Sequence, residues 1–117
     1  MSGSDDLRSK LIRSFATPDA SWSTFTRAPH YESQGVRLAR GTAAKKLGMS
    51  VDIVPPGKRA CPYHFHYAEE EAFVVLEGNG TLRVAGEMLA ITAGDVVFIP
   101  PGPEYPHQIL NTSDAPL

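Results

Sequence analysis

Three side chains able to bind a metal fall within eight residues of one another: His64, His66 and Glu71, in the stretch Pro62-Tyr-His-Phe-His-Tyr-Ala-Glu-Glu-Glu-Ala-Phe-Val-Val-Leu-Glu-Gly78. Imidazole nitrogens and a carboxylate oxygen suit a divalent transition ion such as Zn, Fe, Mn, Ni or Cu. His107, the only later histidine, follows the stiff loop Pro100-Pro-Gly-Pro103 and is the candidate fourth ligand. In a strand, residues i and i+2 share a face, so His64 and His66 are expected to point together with Phe65 opposite. A turn near Ala68 then returns Glu71 on the adjacent antiparallel strand, within cross-strand reach. Glu69, Glu70 and Glu71 are consecutive and cannot all face one point. Glu71 is preferred because the apolar strand starts with it, leaving Glu70 to point outward or to accept a hydrogen bond from an imidazole N–H.

The elements that must position these residues change character along the chain. Leu7, Leu11, Ile12 and Phe15 recur at helical spacing, so the first 16 residues read as a short amphipathic helix with Ser4 as cap and Asp5 and Asp6 in its first turn. A helix this short needs a surface to dock on. Residues 17–21 read as its end and a turn, 22–30 as irregular or a short strand, and 41–48 as a loop with a helical turn. From residue 49 onward short strands alternate with Gly/Pro turns: 49–54, 62–65, 72–77, 81–84, 88–92, 96–99 and 107–110. Gly78-Asn-Gly80 reads as a tight hairpin turn. Many short strands and no crossover helices indicate an all-β sandwich or barrel rather than an α/β sheet. Phe73, Val75, Val84, Leu89, Ile91, Val97 and Ile99 are the expected interior.

Composition narrows the function classes. With 117 residues the chain has room for one domain. Thirteen acids against 11 bases give a net charge of −2, which speaks against a nucleic-acid partner. Arg37, Arg40, Lys45 and Lys46 read as a solvated rim, and His30 as a surface residue. The single cysteine, Cys61, rules out an internal disulfide; a buried structural thiol is preferred over a thiolate ligand. No basic-then-apolar leader and no membrane-length apolar run is visible, so a cytoplasmic location with no membrane partner is expected. Phosphate loops, nucleophile elbows and Cys-x-x-Cys pairs are absent.

Two motifs bring a resemblance. The first runs Gly57, six residues, His64-Phe-His66, four residues, Glu71, six residues, Gly78; the second runs Gly94, five residues, Pro100-Pro-Gly102, four residues, His107-Gln-Ile-Leu-Asn111. From about Met49 to Asn111 the chain resembles the cupins, in particular the small single-domain cupins of bacteria. The gap before His64 is one residue longer than the common pattern and that before His107 two longer, both in loops. The resemblance implies a double-stranded β-helix jelly-roll barrel over 49–117, preceded by an arm over 1–48 with a short helix and edge strands. It implies a metal held by His64, His66, Glu71 and His107. Such cupins usually continue beyond the second motif with strands that close the barrel. Their absence here is expected to mean either truncation or an edge covered by another chain, as in a homodimer.

The expected function is a metal-binding cupin acting on a small polar molecule, with one divalent Zn, Fe, Mn or Ni ion. Polarisation of a carbonyl would make it an isomerase, for instance of a sugar phosphate. With iron the same ligands would suit a dioxygenase, and without turnover a binding or sensor module. Glu70 and Tyr105 are the candidate catalytic proton carriers.

Overall fold

The computed structural model describes residues 3–16 and 22–117, so the turn expected at 17–21 lies outside the described residues. Contacts divide the chain into two units, one of Met1–Thr24 with Gln34–Asp52 and one of Phe25–Ser33 with Ile53–Leu117.

In the first unit α1 spans Gly3–Leu11, shorter than the hydrophobic spacing suggested, and Ser4 lies inside it rather than capping it. At its end Arg13 folds back, its guanidinium donating to the carbonyls of Ser9 at 2.6 Å and Ile12 at 3.3 Å. Those carbonyls would otherwise await the next turn. None of the α1 residues is buried, and Leu7 and Leu11 are exposed.

Strands β1 (Ser23–Arg27), β2 (Tyr31–Arg37) and β3 (Ser50–Ile53) form one sheet in that order. The edge strands expected within 1–48 were not located at β2, since Tyr-Glu-Ser-Gln-Gly-Val-Arg has little strand propensity of its own. Gly35 belongs there because the Asp52 carboxylate of β3 occupies the space a side chain would need. Residues 41–48 carry bends and a turn closed by Thr42 N–H to Ala39 carbonyl at 3.1 Å, not a helical turn.

The second unit is all β. β4 (Glu71–Val74) pairs antiparallel with β7 (Val96–Ile99), placing Glu71 opposite Ile99 and Phe73 opposite Val97. β5 (Asn79–Val84) is the centre of a second sheet, between β6 (Glu87–Thr92) and β8 (His107–Leu110). Its hairpin to β6 closes through Ala85 and Gly86, both at positive φ, as a two-residue turn of this hand requires. The core lies between the two sheets: Val75, Leu82 and Ile91 are buried, with Val84, Val97, Ile109 and Leu117 packed against them. This is the mostly β, jelly-roll architecture expected from the strand pattern.

Three expectations need correction. Gly78-Asn-Gly80 is not a hairpin, because β4 pairs with β7 and β5 with β6 and β8; the chain passes between sheets there. Its glycines serve close approach: a Cβ on Gly78 would sit 2.5 Å from the Pro116 carbonyl oxygen, and one on Gly80 2.6 Å from that of Leu110. Leu89 is 49% exposed although it stands opposite Leu82, which is 5% exposed. Leu89 sits on the edge strand and Leu82 on the central one, so only the latter is covered from both sides. Finally, 62–65 is not a regular strand. The segment 57–64 follows β8 through separate hydrogen bonds, Gly57 N–H to Asn111 carbonyl, Ala60 N–H to Ile109 carbonyl and His64 N–H to His107 carbonyl. Pro62 brings no N–H to that ladder, and bends flank it at Cys61 and Tyr63.

The end of the described chain is tied in as well. Leu117 exchanges both backbone hydrogen bonds with Val54, at 2.8 and 3.0 Å. Among the described residues no helix is long and apolar enough to cross a membrane.

Candidate metal centre

His64 is set by the irregular segment along β8, forming an isolated antiparallel bridge with His107. His66 is fixed two residues on, where its carbonyl accepts the Gly102 N–H of the proline loop at 2.7 Å. That bond joins the two motif loops directly. The shared orientation expected of His64 and His66 is therefore reached without the regular strand: their rings meet edge to face, 4.9 Å between centroids. Glu71 opens β4 on the same face as Phe73, and the Phe73 ring lies 5.9 Å from that of His107. His107 opens β8 opposite Val84 and is 1% exposed.

All four predicted ligand residues come together. One ligand atom from each of His64, His66, Glu71 and His107 lies within 4.8 Å of the others. Ligand bonds of about 2.0–2.2 Å let two atoms on one ion stand at most about 4.4 Å apart. Closing round an ion would thus take shifts of a few tenths of an ångström.

The tautomers favour such use. His64 Nδ1 lies 2.7 Å from the Pro62 carbonyl oxygen and His107 Nδ1 3.0 Å from that of Tyr105. A ring nitrogen facing a carbonyl carries the proton, so in a neutral imidazole Nε2 is the lone pair. His107 Nε2 is buried with no hydrogen-bond partner, and Glu71 Oε2 stands 3.5 Å from it. A buried lone pair facing the oxygen of a partly exposed carboxylate is unfavourable unless a cation or proton lies between them. His66 Nε2 contacts the other carboxylate oxygen of Glu71. The donor set and the unpartnered buried nitrogen fit a divalent ion.

The remaining candidates are placed as follows. Tyr105 is 40% exposed and reaches the centre through its backbone, as the acceptor for His107. Glu70 is exposed at the approach to β4. The carboxylate beside the His66 ring is Glu69, with Oε2 3.8 Å from Nδ1. The sequence reading passed over Glu69, although an i+3 offset across the bend at Tyr67 and Ala68 returns it toward His66. Tyr63 is engaged elsewhere: its hydroxyl accepts the Gly86 N–H at 3.0 Å and the Arg83 guanidinium lies 4.1 Å over its ring. Cys61 and His30 are outside the ligand cluster.

Asn111, the last residue of the second motif, also has a defined task. It is 1% exposed; its amide donates to the carbonyls of Val54 at 2.7 Å and Ala115 at 2.8 Å, and its oxygen accepts from Ser113. It holds the end of β8, and with it His107, against the segment entering Gly57.

The cupin domain model matches residues 50–117, more than half of the chain. The chain is a cupin. This cupin is 36% identical over 72 residues to the uncharacterized protein MJ1618 of Methanocaldococcus jannaschii, covering 62% of this chain and 55% of that protein. Among solved structures it is similar to a candidate sugar phosphate isomerase of Acidithiobacillus ferrooxidans, with 31% identity, a TM-score of 0.69 and coverage of 74% of this chain and 55% of that one. A cupin-superfamily sugar phosphate isomerase of Silicibacter pomeroyi gives 26% identity and a TM-score of 0.68, covering 72% and 54%. A predicted oxalate decarboxylase of Thermotoga maritima gives 25% identity and a TM-score of 0.70, covering 95% and 90%. The cupin thus spans about half the length of the M. jannaschii protein and of the first two structures.

Proposed function

We propose that this cupin holds one divalent transition ion with His64, His66, Glu71 and His107 and isomerises a small sugar phosphate. The observation that carries the reading is the buried, unpartnered Nε2 of His107 facing the Glu71 carboxylate. The likeness to the A. ferrooxidans and S. pomeroyi structures supports the substrate class. When bound, the ion supplies Lewis-acid polarisation of a substrate carbonyl. The chain's own contribution is to orient the imidazoles through Pro62 and Tyr105 and to keep one wall apolar with Phe73. Glu70, beside Glu71, and Tyr105, two residues before His107, are the proposed proton carriers; both are accessible to a molecule arriving from solvent.

A second reading is decarboxylation of a small dicarboxylate, favoured by the T. maritima structure, which this chain covers over 90% of its length. Protein loaded separately with Zn, Mn, Fe or Ni, and given sugar phosphates or oxalate, separates the two. Aldose–ketose interconversion seen by NMR and lost in His64→Ala supports isomerisation. Release of carbon dioxide from oxalate supports the second reading. Oxygen uptake confined to the iron form would instead identify a dioxygenase, and saturable binding with no product a sensor module.

A second copy of the chain is the proposed partner, in a cytoplasmic setting. Support comes from the outer face of the two-stranded β4–β7 sheet, where Val74, Val96 and Phe98 are exposed side by side. Apolar faces of this kind mark contact surfaces.

A further inference from the structure

Two of the three imidazoles are oriented by the main chain. His64 Nδ1 meets the Pro62 carbonyl and His107 Nδ1 the Tyr105 carbonyl, each two residues back in its own chain. His66 has no such acceptor among the described residues. The group facing its Nδ1 is the Glu69 carboxylate, 3.8 Å away. We propose that Glu69 is the positioning residue of His66, the carboxylate that takes its ring N–H and so helps set how tightly the centre holds its ion. This rests on the metal reading above.

When Nε2 of a neutral imidazole binds an ion, the proton is on Nδ1 and needs an acceptor; a ring without one turns more freely and is a weaker ligand. The Glu69 side chain is 76% exposed, so rotation costs it little packing. Moving it by roughly 1 Å brings the pair within hydrogen-bond range. Charge works in the same direction. A divalent ion with Glu71 as its one carboxylate ligand leaves a net positive centre, and Glu69 supplies the nearby negative charge that offsets it. Glu70, one residue on, carries the same charge without facing the ring. The main-chain acceptors cannot be removed by changing a side chain, whereas this one can, which makes His66 the adjustable ligand of the three.

The test is Zn²⁺ affinity by competition with a chromophoric chelator, for wild type, Glu69→Ala, Glu69→Gln and Glu70→Ala. Second-sphere partners typically contribute ten- to a hundred-fold in affinity, and exposure puts Glu69 at the lower end, about ten-fold. Glu69→Gln, which keeps an acceptor and loses the charge, is expected between wild type and alanine. Glu70→Ala should stay within about two-fold of wild type. Nitrogen-edited NMR of the zinc-loaded protein gives a readout that a general loss of stability would not mimic. Glu69→Ala should move or broaden the ring Nδ1–H of His66 and leave those of His64 and His107 in place. Equal affinities for Glu69→Ala and Glu70→Ala, or an unmoved His66 signal, would overturn the assignment of Glu69 alone. A wild-type protein that binds no Zn²⁺ would overturn the metal centre itself and this inference with it.

Discussion

His64 and His107 exchange both of their backbone hydrogen bonds, at 2.8 and 3.1 Å, and their rings lie 4.6 Å apart. Main chain and side chain are thus locked at the same two residues: the bridge sets the spacing of the Cα atoms, and the Pro62 and Tyr105 carbonyls set the rotation of each ring. His66 stands outside this lock, on a partly exposed segment.

Removing His107 should therefore cost both metal and fold, and removing His66 mainly metal. His107→Ala leaves a cavity at a fully buried position and removes the ring donor from the part-buried Tyr105 carbonyl, an expected loss of about 2–4 kcal/mol. His66→Ala should lose less than about 1 kcal/mol of metal-free stability while metal content falls. Urea titration of both apoproteins, with metal analysis of each as purified, checks the pair. Equal destabilisation would contradict the distinction, and unchanged metal content in His66→Ala the ligand assignment.

Asn111 joins β8 to two other segments with its amide alone. Asn111→Ala is expected to lower stability by about 2–4 kcal/mol, since it leaves the buried Val54 carbonyl without one of its donors and loosens 111–117. Asn111→Asp should not rescue it, because a carboxylate cannot donate to those two carbonyls. A midpoint for Asn111→Asp equal to wild type in denaturant unfolding would refute this account.

Gly80 is excluded from carrying a side chain by its neighbours rather than by its backbone angles. Gly80→Ala brings a methyl within 2.6 Å of the Leu110 carbonyl and 2.8 Å of Leu117. The strand must shift, at about 1–3 kcal/mol. Because β8 is the strand displaced, zinc affinity should fall as well. Thermal melting with and without Zn²⁺ measures both.

The exposed β4–β7 face predicts self-association. Phe98, 76% exposed, is the largest apolar side chain on it. Wild type should sediment as a dimer, and Phe98→Lys should shift the population to monomer without lowering thermal stability in dilute solution. A wild type that is monomeric at high protein concentration removes this proposal.

How much of this was legible in the sequence follows from where the information is local. The β5–β8 strands read well because their turns carry Gly or Pro and their apolar residues alternate. The ligand residues were legible for the same reason: His-x-His and a following Glu are close in the chain. What could not be read depends on contacts between distant segments. β2 forms because β1 and β3 flank it, not from its own propensity. Gly78 and Gly80 look like a hairpin turn locally; the positive φ of Gly78 and the approach of Pro116 and Leu110 show why they are glycine. Leu89 and Leu82 have the same alternation and differ in which strand lies at the sheet's edge. Glu69 was passed over because the choice among three consecutive carboxylates was made by which one opens the apolar strand, and only the bend at Tyr67 and Ala68 shows that the first of them returns toward His66.

Along β8, His107 and Gln108 are each 1% exposed and lie on opposite faces of the strand, the ring toward Glu71 and the His64 ring and the amide donating to the Cys61 carbonyl at 3.0 Å. A slip of β8 by one residue would reverse them, putting an amide among the imidazoles and an imidazole against the Cys61 loop. Intermediate registers would then carry no usable ligand set. An ion present during refolding would select the native strand pairing from its neighbours, and so guard against misregistered sheets as well as stabilise the finished one.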